Sequence, residues 1–147
     1  HGSTEHYVHE SLGTNSRLDA LQAAVLRVKL RHLENELIIR RQNAEIYNAF
    51  FAHFKNVRTP TIAAGNTSTF AQYTLVTEDR SLWEKKFEKA EVPTCIHYPQ
   101  PLHTQPCFAR LGSHKVTNPQ TEEICNGVLS LPVCAFTDVK EILNRIS

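Results

Sequence analysis

The chain is 147 residues long and 41% hydrophobic, with 16 Lys and Arg against 15 Asp and Glu, a formal net charge of +1. That length and apolar content suit a globular domain with a core, and the balanced charge supplies no basic field to draw in nucleic acid or anionic lipid. No run approaches the roughly 18 apolar residues of a membrane span, and the opening HGSTEHYVHE is too polar for a secretory leader, so the expected compartment is the cytoplasm.

Residues 1–16 read as loop, because Gly2, Ser3, Gly13 and the polar run Thr14-Asn15-Ser16 break any period. Ser16-Arg17-Leu18-Asp19 then has the form of a capping box, which predicts a helix starting at residue 17 with Ser16 as its cap. Leu18, Leu21, Val25 and Val28 follow helical spacing. After a two-residue shift of phase, Leu30, Leu33, Leu37, Ala44, Tyr47, Phe51 and Phe54 continue it. This predicts one long helix, or two nearly collinear ones, over 17–54. At 1.5 Å per residue about 37 residues span on the order of 55 Å, a length suited to linking two domains or a domain and a partner subunit. A coiled coil is the alternative, which the phase shift and Arg40 argue against.

Beyond Pro60 the chain reads as a small α+β domain over 55–147, a small antiparallel sheet with flanking helices. Residues 70–77 (FAQYTLVT) are aromatic, β-branched and roughly alternating, which predicts a strand. Residues 81–90 put Leu82, Trp83, Phe87 and Ala90 on one side of a short helix. Residues 93–98 predict a second strand, stopped by Pro99. Helices are expected over 119–128 and 137–146, with a strand at 129–131 between them.

The polar chemistry is sparse. The five glycines are scattered, so no phosphate cradle of the glycine-rich type exists. Cys95, Cys107, Cys125 and Cys134 lie 12, 18 and 9 residues apart, without the C-x2-C pairing of a zinc site, and read as reduced thiols. His1, His6 and His9 fall in the polar opening and His32 and His53 in the helical pattern, so no metal is expected. Asn66-Thr67-Ser68 fits a glycosylation sequon but reads as a polar loop after Gly65. The sequence has no methionine and opens on His1-Gly2, which leads us to expect a fragment.

Two clusters combine polar groups with a rigid frame. Gly13-Thr14-Asn15-Ser16-Arg17-Leu18-Asp19 sets an amide and a guanidinium before a helix amino terminus, where anions are favoured. Ile96-His97-Tyr98-Pro99-Gln100-Pro101-Leu102-His103 is a loop stiffened by proline, holding His97 and Tyr98 in fixed directions. Both also read as plain structure, a capped helix and a tight prolyl turn.

The string HG(x)4Y, then G-x-N-S-R-L-D-x-L-Q-A-A-V-L-x-x-K-L and R-R-Q-x-A-x-x-Y, resembles the segment after the cofactor domain in DegT-type sugar aminotransferases. A-Q-Y-T, V-P-T-x-I-H-Y-P-x-P-L-H-x-Q-P and L-S-L-P resemble the same family in the same order, with most similarity to members acting on UDP-linked 3-keto-uronic acids in surface-polysaccharide synthesis. The resemblance implies the small carboxy-terminal domain of a fold-type-I, pyridoxal-phosphate-dependent enzyme. In such enzymes glutamate donates an amino group and a nucleotide-linked keto-sugar receives it.

By resemblance, Asn15 would reach the cofactor phosphate across a homodimer interface, Arg17 would meet the sugar carboxylate, and His97 and Tyr98 would line the sugar pocket. The family's Schiff-base lysine has no counterpart here, so the chain alone is expected to carry no catalytic lysine and to bind no pyridoxal phosphate. Val133-Cys134-Ala135-Phe136 departs from the family's His-Pro-containing turn. A different class of reading is a standalone oligomerisation or ligand-binding module from a truncated gene.

Overall fold

The computed structural model of the chain describes residues 3–5, 8–14, 16–112 and 117–147. It divides into two compact units, His1–Glu34 and Asn35–Ser147.

The first unit holds β1 (Ser3–Glu5) and β2 (Val8–His9), an antiparallel pair where the sequence reads as loop, followed by α1 (Ala20–Leu30). Strands of three and two residues are too short to leave a period. The cap of α1 also differs from expectation. Asp19, not Ser16, is the N-cap, its carboxylate accepting from Leu21 N at 2.7 Å and Gln22 N at 3.4 Å. The reason is electrostatic: an anionic acceptor serves the positive helix end better than a hydroxyl, so Ser16, Arg17 and Leu18 stay ahead of the helix. No residue of α1 is buried, and Leu21, Val25, Leu26 and Val28 stand exposed.

The shift of phase in the sequence marks a real interruption. Arg31 N bonds back to Val28 O and His32 N to Lys29 O, three residues each, and this tightened turn ends α1. α2 (Leu33–Phe51) resumes immediately after it.

In the second unit, α2 is followed by β3 (Val57–Arg58), β4 (Tyr73–Thr77), α3 (Arg80–Lys89), two short 3-10 turns, α4 (Pro119–Gly127), β5 (Val128–Leu131) and α5 (Val139–Ile146). The three strands form one antiparallel sheet in the order β3-β4-β5, with Tyr73 opposite Leu131, Thr74 opposite Ser130 and Leu75 opposite Leu129. Alternation along β4 buries Tyr73, Leu75 and Thr77 fully and Thr74 and Val76 by half. The expected α+β class holds, an antiparallel sheet with helices about it.

The core lies between the sheet and α2, α3 and α5. Tyr47 and Phe51 of α2 meet Tyr73 and Leu75 of β4, Trp83 and Phe87 of α3, and Val139, Leu143 and Ile146 of α5. Tyr47 stacks on Tyr73 with ring centroids 4.9 Å apart, and Phe51 and Phe54 both meet Trp83 edge-on at 5.1 and 5.0 Å. Each of the fully buried rings, which excludes the half-buried Phe54, contributes roughly 1.5–3 kcal/mol over its exposed state.

The strand expected over 93–98 reduces to a single bridge. Cys95 N donates to Ser130 O at 3.1 Å and Ser130 N to Cys95 O at 2.7 Å, beside the free edge of β5. Pro93 and Pro99 bracket this bridge and bring no amide hydrogen, so a ladder cannot extend through them. β3 escapes the sequence reading because two residues carry no pattern.

Candidate functional site

The single bridge at Cys95 lays the Ile96-His97-Tyr98 segment across the outer edge of β5. His97 Nδ1 lies 3.3 Å from Ser130 Oγ, and Ser130 Oγ lies 2.7 Å from Thr74 Oγ1, its neighbour on β4. Ser130 is buried, His97 half-buried, and Tyr98 is 69% exposed, with its ring 5.5 Å from that of His97. The chain of two hydroxyls and an imidazole thus runs from inside the sheet to the loop. At the far end of the loop, Gln100 Nε2 donates to Thr104 O at 3.0 Å, and His103 Nε2 meets Glu122 Oε1 at 3.2 Å.

His97 and Ser130 line a cavity of about 310 Å³, together with Arg40, Gln72, Cys95 and Cys134. Arg40 Nη1 donates to Phe70 O at a long 3.4 Å, and among the described residues no carboxylate lies in ion-pair distance of it. A half-buried guanidinium without an anion, beside an imidazole, favours a ligand that brings oxygens or negative charge.

The cavity wall at 132–134, and the turn that continues to Thr137, are held by α2. Asn43 donates its side-chain amide to Cys134 O at 3.0 Å, with Val133 O and Thr137 O at 3.4 Å, and Tyr47 Oη donates to Pro132 O at 2.9 Å. This turn gives Cys134 its character. The Thr137 hydroxyl, 3.1 Å from Sγ, holds the thiol below its ordinary range. Partial burial opposes that shift, and the Phe136 and Thr137 amides and the Arg40 charge add to it.

The expected site residues fall in different places. His97 and Tyr98 adjoin each other at the loop, as the proline frame implies. Arg17 belongs to the first unit, exposed just ahead of α1. Asn15 lies outside the described residues. Ser130, Thr74, Asn43 and the guanidinium of Arg40 were not picked out as functional by sequence reasoning. Ser130 stood inside the quoted L-S-L-P string, but its link to His97 crosses 33 residues and leaves no local signal.

The residues described do not fit a pyridoxal phosphate site complete in this chain. Lys29, Lys55, Lys85, Lys89 and Lys140 are exposed groups on or just after helices, and Lys86 lies over the Trp83 ring at 5.2 Å. Gly127 packs against Thr77 O, while Gly65 and Gly112 sit in separate turns, so no two of these three glycines close on a phosphate.

Comparison with known proteins gives these features a family. The chain is 40% identical over 133 residues to the erythromycin biosynthesis sensory transduction protein EryC1 of Saccharopolyspora erythraea, covering 90% of the chain and 36% of that protein. It is 37% identical over 142 residues to the UDP-2-acetamido-2-deoxy-3-oxo-D-glucuronate aminotransferase of Pseudomonas aeruginosa, covering 97% of the chain and 38% of that protein. Among solved structures it superposes on DesV of S. venezuelae with a TM-score of 0.82 and 32% identity, covering 99% of the chain and 39% of DesV. A DegT DnrJ EryC1 StrS aminotransferase from Brucella abortus gives 0.83 and 33%, covering 99% of the chain and 40% of that enzyme. The chain therefore spans less than half the length of these relatives. Residues 1–146 match the model of the DegT/DnrJ/EryC1/StrS aminotransferase family, to which this chain belongs.

Proposed function

We propose that the chain is the substrate-gripping and dimer-contact portion of an aminotransferase that moves an amino group from glutamate to a nucleotide-linked keto-sugar in surface-polysaccharide synthesis. The observation that carries this reading is the family match over residues 1–146, joined to a His97–Tyr98 loop anchored on β5 beside an anion-seeking cavity. The P. aeruginosa relative acts on a 3-oxo-glucuronate, which favours a uronic acid as the sugar.

In this reading Arg17 grips the sugar carboxylate, because a planar guanidinium offers two parallel N–H groups to the two carboxylate oxygens. His97 and Tyr98 offer an imidazole and a phenol to the sugar hydroxyls. Asn15 reaches the phosphate of the cofactor held by a partner subunit. Residues 17–54 link the two domains and 55–147 form the small domain that covers the substrate. Pyridoxal phosphate, when bound by the remainder of the enzyme, supplies the carrying of the amino group between the two half-reactions. The residues of this chain bind and orient the sugar and exclude water from it. Among the described residues no helix is long and apolar enough to cross a membrane, and reduced cysteines and a nucleotide-linked substrate suit the cytoplasm.

The test is amino transfer by the full-length protein supplied with glutamate and a UDP-linked 3-keto-uronic acid. Release of one 2-oxoglutarate per amino-sugar formed is the expected result. Failure to aminate any nucleotide-linked keto-sugar rejects the reading.

A further inference from the structure

Ser130 is a buried polar side chain with two hydrogen-bonding neighbours. On the sheet side its Oγ lies 2.7 Å from Thr74 Oγ1, and on the loop side 3.3 Å from His97 Nδ1. Its backbone is satisfied separately, through the reciprocal bridge with Cys95. The side chain is therefore free to do something other than hold the strand. Among the described residues, His97 Nε2 has no hydrogen-bond partner.

A neutral imidazole has one donor and one acceptor nitrogen, and each hydroxyl has a single hydrogen. Because a hydroxyl oxygen can also accept two hydrogens, three arrangements of the chain are then possible. In the first, Thr74 donates to Ser130 and Ser130 donates to Nδ1, so both hydroxyl hydrogens are used and Nε2 carries the ring hydrogen. In the second, Nδ1–H donates to Ser130 and Ser130 donates to Thr74, whose own hydrogen then finds no acceptor among the described residues; in the third, Thr74 and Nδ1–H both donate to Ser130, whose buried hydrogen is the one left without an acceptor there. The first arrangement leaves only Nε2–H without a protein acceptor, and that atom is not among the buried unpartnered ones and can be solvated, whereas the others strand a hydroxyl hydrogen within the sheet; this decides for the first.

We propose that Ser130, oriented by Thr74, is a positioning residue that holds His97 in its Nε2–H tautomer, presenting that hydrogen as a donor to a sugar hydroxyl or carboxylate oxygen. The presentation to a sugar rests on the reading of His97 as a substrate contact given above. The tautomer itself does not rest on it. The relay also explains why a loop joined to the sheet by a single bridge can hold an imidazole in one orientation.

The experiment has two arms. In the first, side-chain 15N spectra of the full chain are recorded above neutral pH, where imidazoles are uncharged, and the His97 signal is identified by its loss in His97→Gln. Wild type is expected to show His97 almost wholly as the Nε2–H tautomer. Ser130→Ala and Thr74→Val each let the Nδ1–H tautomer grow severalfold, Ser130→Thr keeps the wild-type state, and the signals of His32 and His53 stay in place. A wild-type His97 protonated at Nδ1, or a tautomer unchanged in both Ser130→Ala and Thr74→Val, overturns the proposal. Thr74→Val alters no atom of β5, so it decides the matter even where Ser130→Ala folds poorly.

In the second arm, Ser130→Ala in the full-length enzyme raises KM for the keto-sugar about five- to tenfold, the worth of one hydrogen bond. The glutamate half-reaction stays unchanged and Ser130→Thr restores KM. A shifted tautomer with unchanged KM overturns the presentation of Nε2–H to the sugar. If His97→Gln itself leaves KM unchanged, the substrate-contact reading fails while the tautomer result still judges the relay.

Discussion

Asn43 of α2 donates its side-chain amide to the carbonyl of Cys134, 91 residues further along the chain, at 3.0 Å. Two more carbonyls of the same turn, Val133 O and Thr137 O, lie 3.4 Å from the same nitrogen. The turn between β5 and α5 is irregular: Cys134 O also accepts from Thr137 N at 3.0 Å, and the Asn43 amide is the side-chain donor aimed at the turn. Replacing Asn43 with Ala removes the side-chain donor shared by these carbonyls, the buried Val133 O among them, which we expect to cost about 2 kcal/mol. Urea unfolding measures this, and a loss within about 0.5 kcal/mol, the usual scale of a surface change, contradicts the role.

The same turn sets the reactivity of Cys134. Its thiol is lowered first by the Thr137 hydroxyl and only partly opposed by burial. Because the thiolate is the nucleophile, Cys134 should alkylate faster at neutral pH than Cys125, which is buried. Thr137→Val should slow Cys134 severalfold and shift its pH–rate curve upward, followed by mass spectrometry of iodoacetamide-treated protein. Equal rates for Cys134 in wild type and Thr137→Val would show that the hydroxyl does not act on the thiolate.

Tyr47 and Tyr73 stack in the core, and burial raises both phenols well above their ordinary value of 10.0, with Tyr47 further raising Tyr73. In the unfolded chain both would ionise near that ordinary value. Above it the unfolded state binds fewer protons, so stability that is full below pH 10 falls as pH rises through and beyond 10. Chemical denaturation should give constant stability from about pH 7 to 9 and a steep loss above about 10, with up to two protons in the slope. A Tyr47→Phe/Tyr73→Phe variant should lose most of that slope. An unchanged slope would place the alkaline transition elsewhere.

Gly127 closes α4 directly onto β5, and a Cβ there would meet Thr77 O at 2.5 Å and Val76 Cγ1 at 3.1 Å. Thr77 closes β4 and is paired with Val57 of β3, so its backbone oxygen is held in place and Gly127→Ala should cost about 2–3 kcal/mol. Thermal unfolding tests this, and a melting temperature equal to wild type would contradict the close approach.

What the sequence made legible is what has a period. Tyr73, Leu75 and Thr77 alternate along β4, and Trp83 and Phe87 repeat at helical spacing in α3; both elements lie close to their expected places. The break between α1 and α2 was present as a shift of phase between Val28 and Leu30. What was not legible depends on competition or distance. Ser16 and Asp19 both could cap α1, and charge decided for Asp19. Residues 93–98 have strand composition, but their bounding prolines leave only the Cys95 bridge. The Thr74–Ser130–His97 chain joins residues 56 and 33 apart, a proximity that exists only once β4 and β5 are paired.

The central claim, that this chain grips an acidic keto-sugar, is tested most directly at Arg17. The full-length enzyme and its Arg17→Ala variant are compared for KM on a nucleotide-linked keto-sugar carrying a carboxylate and on its neutral counterpart. Loss of a charged, bidentate contact is worth about 2–3 kcal/mol, so the carboxylated substrate should weaken by roughly 30- to 150-fold and the neutral one by less than about threefold. Equal weakening of both substrates would contradict the account.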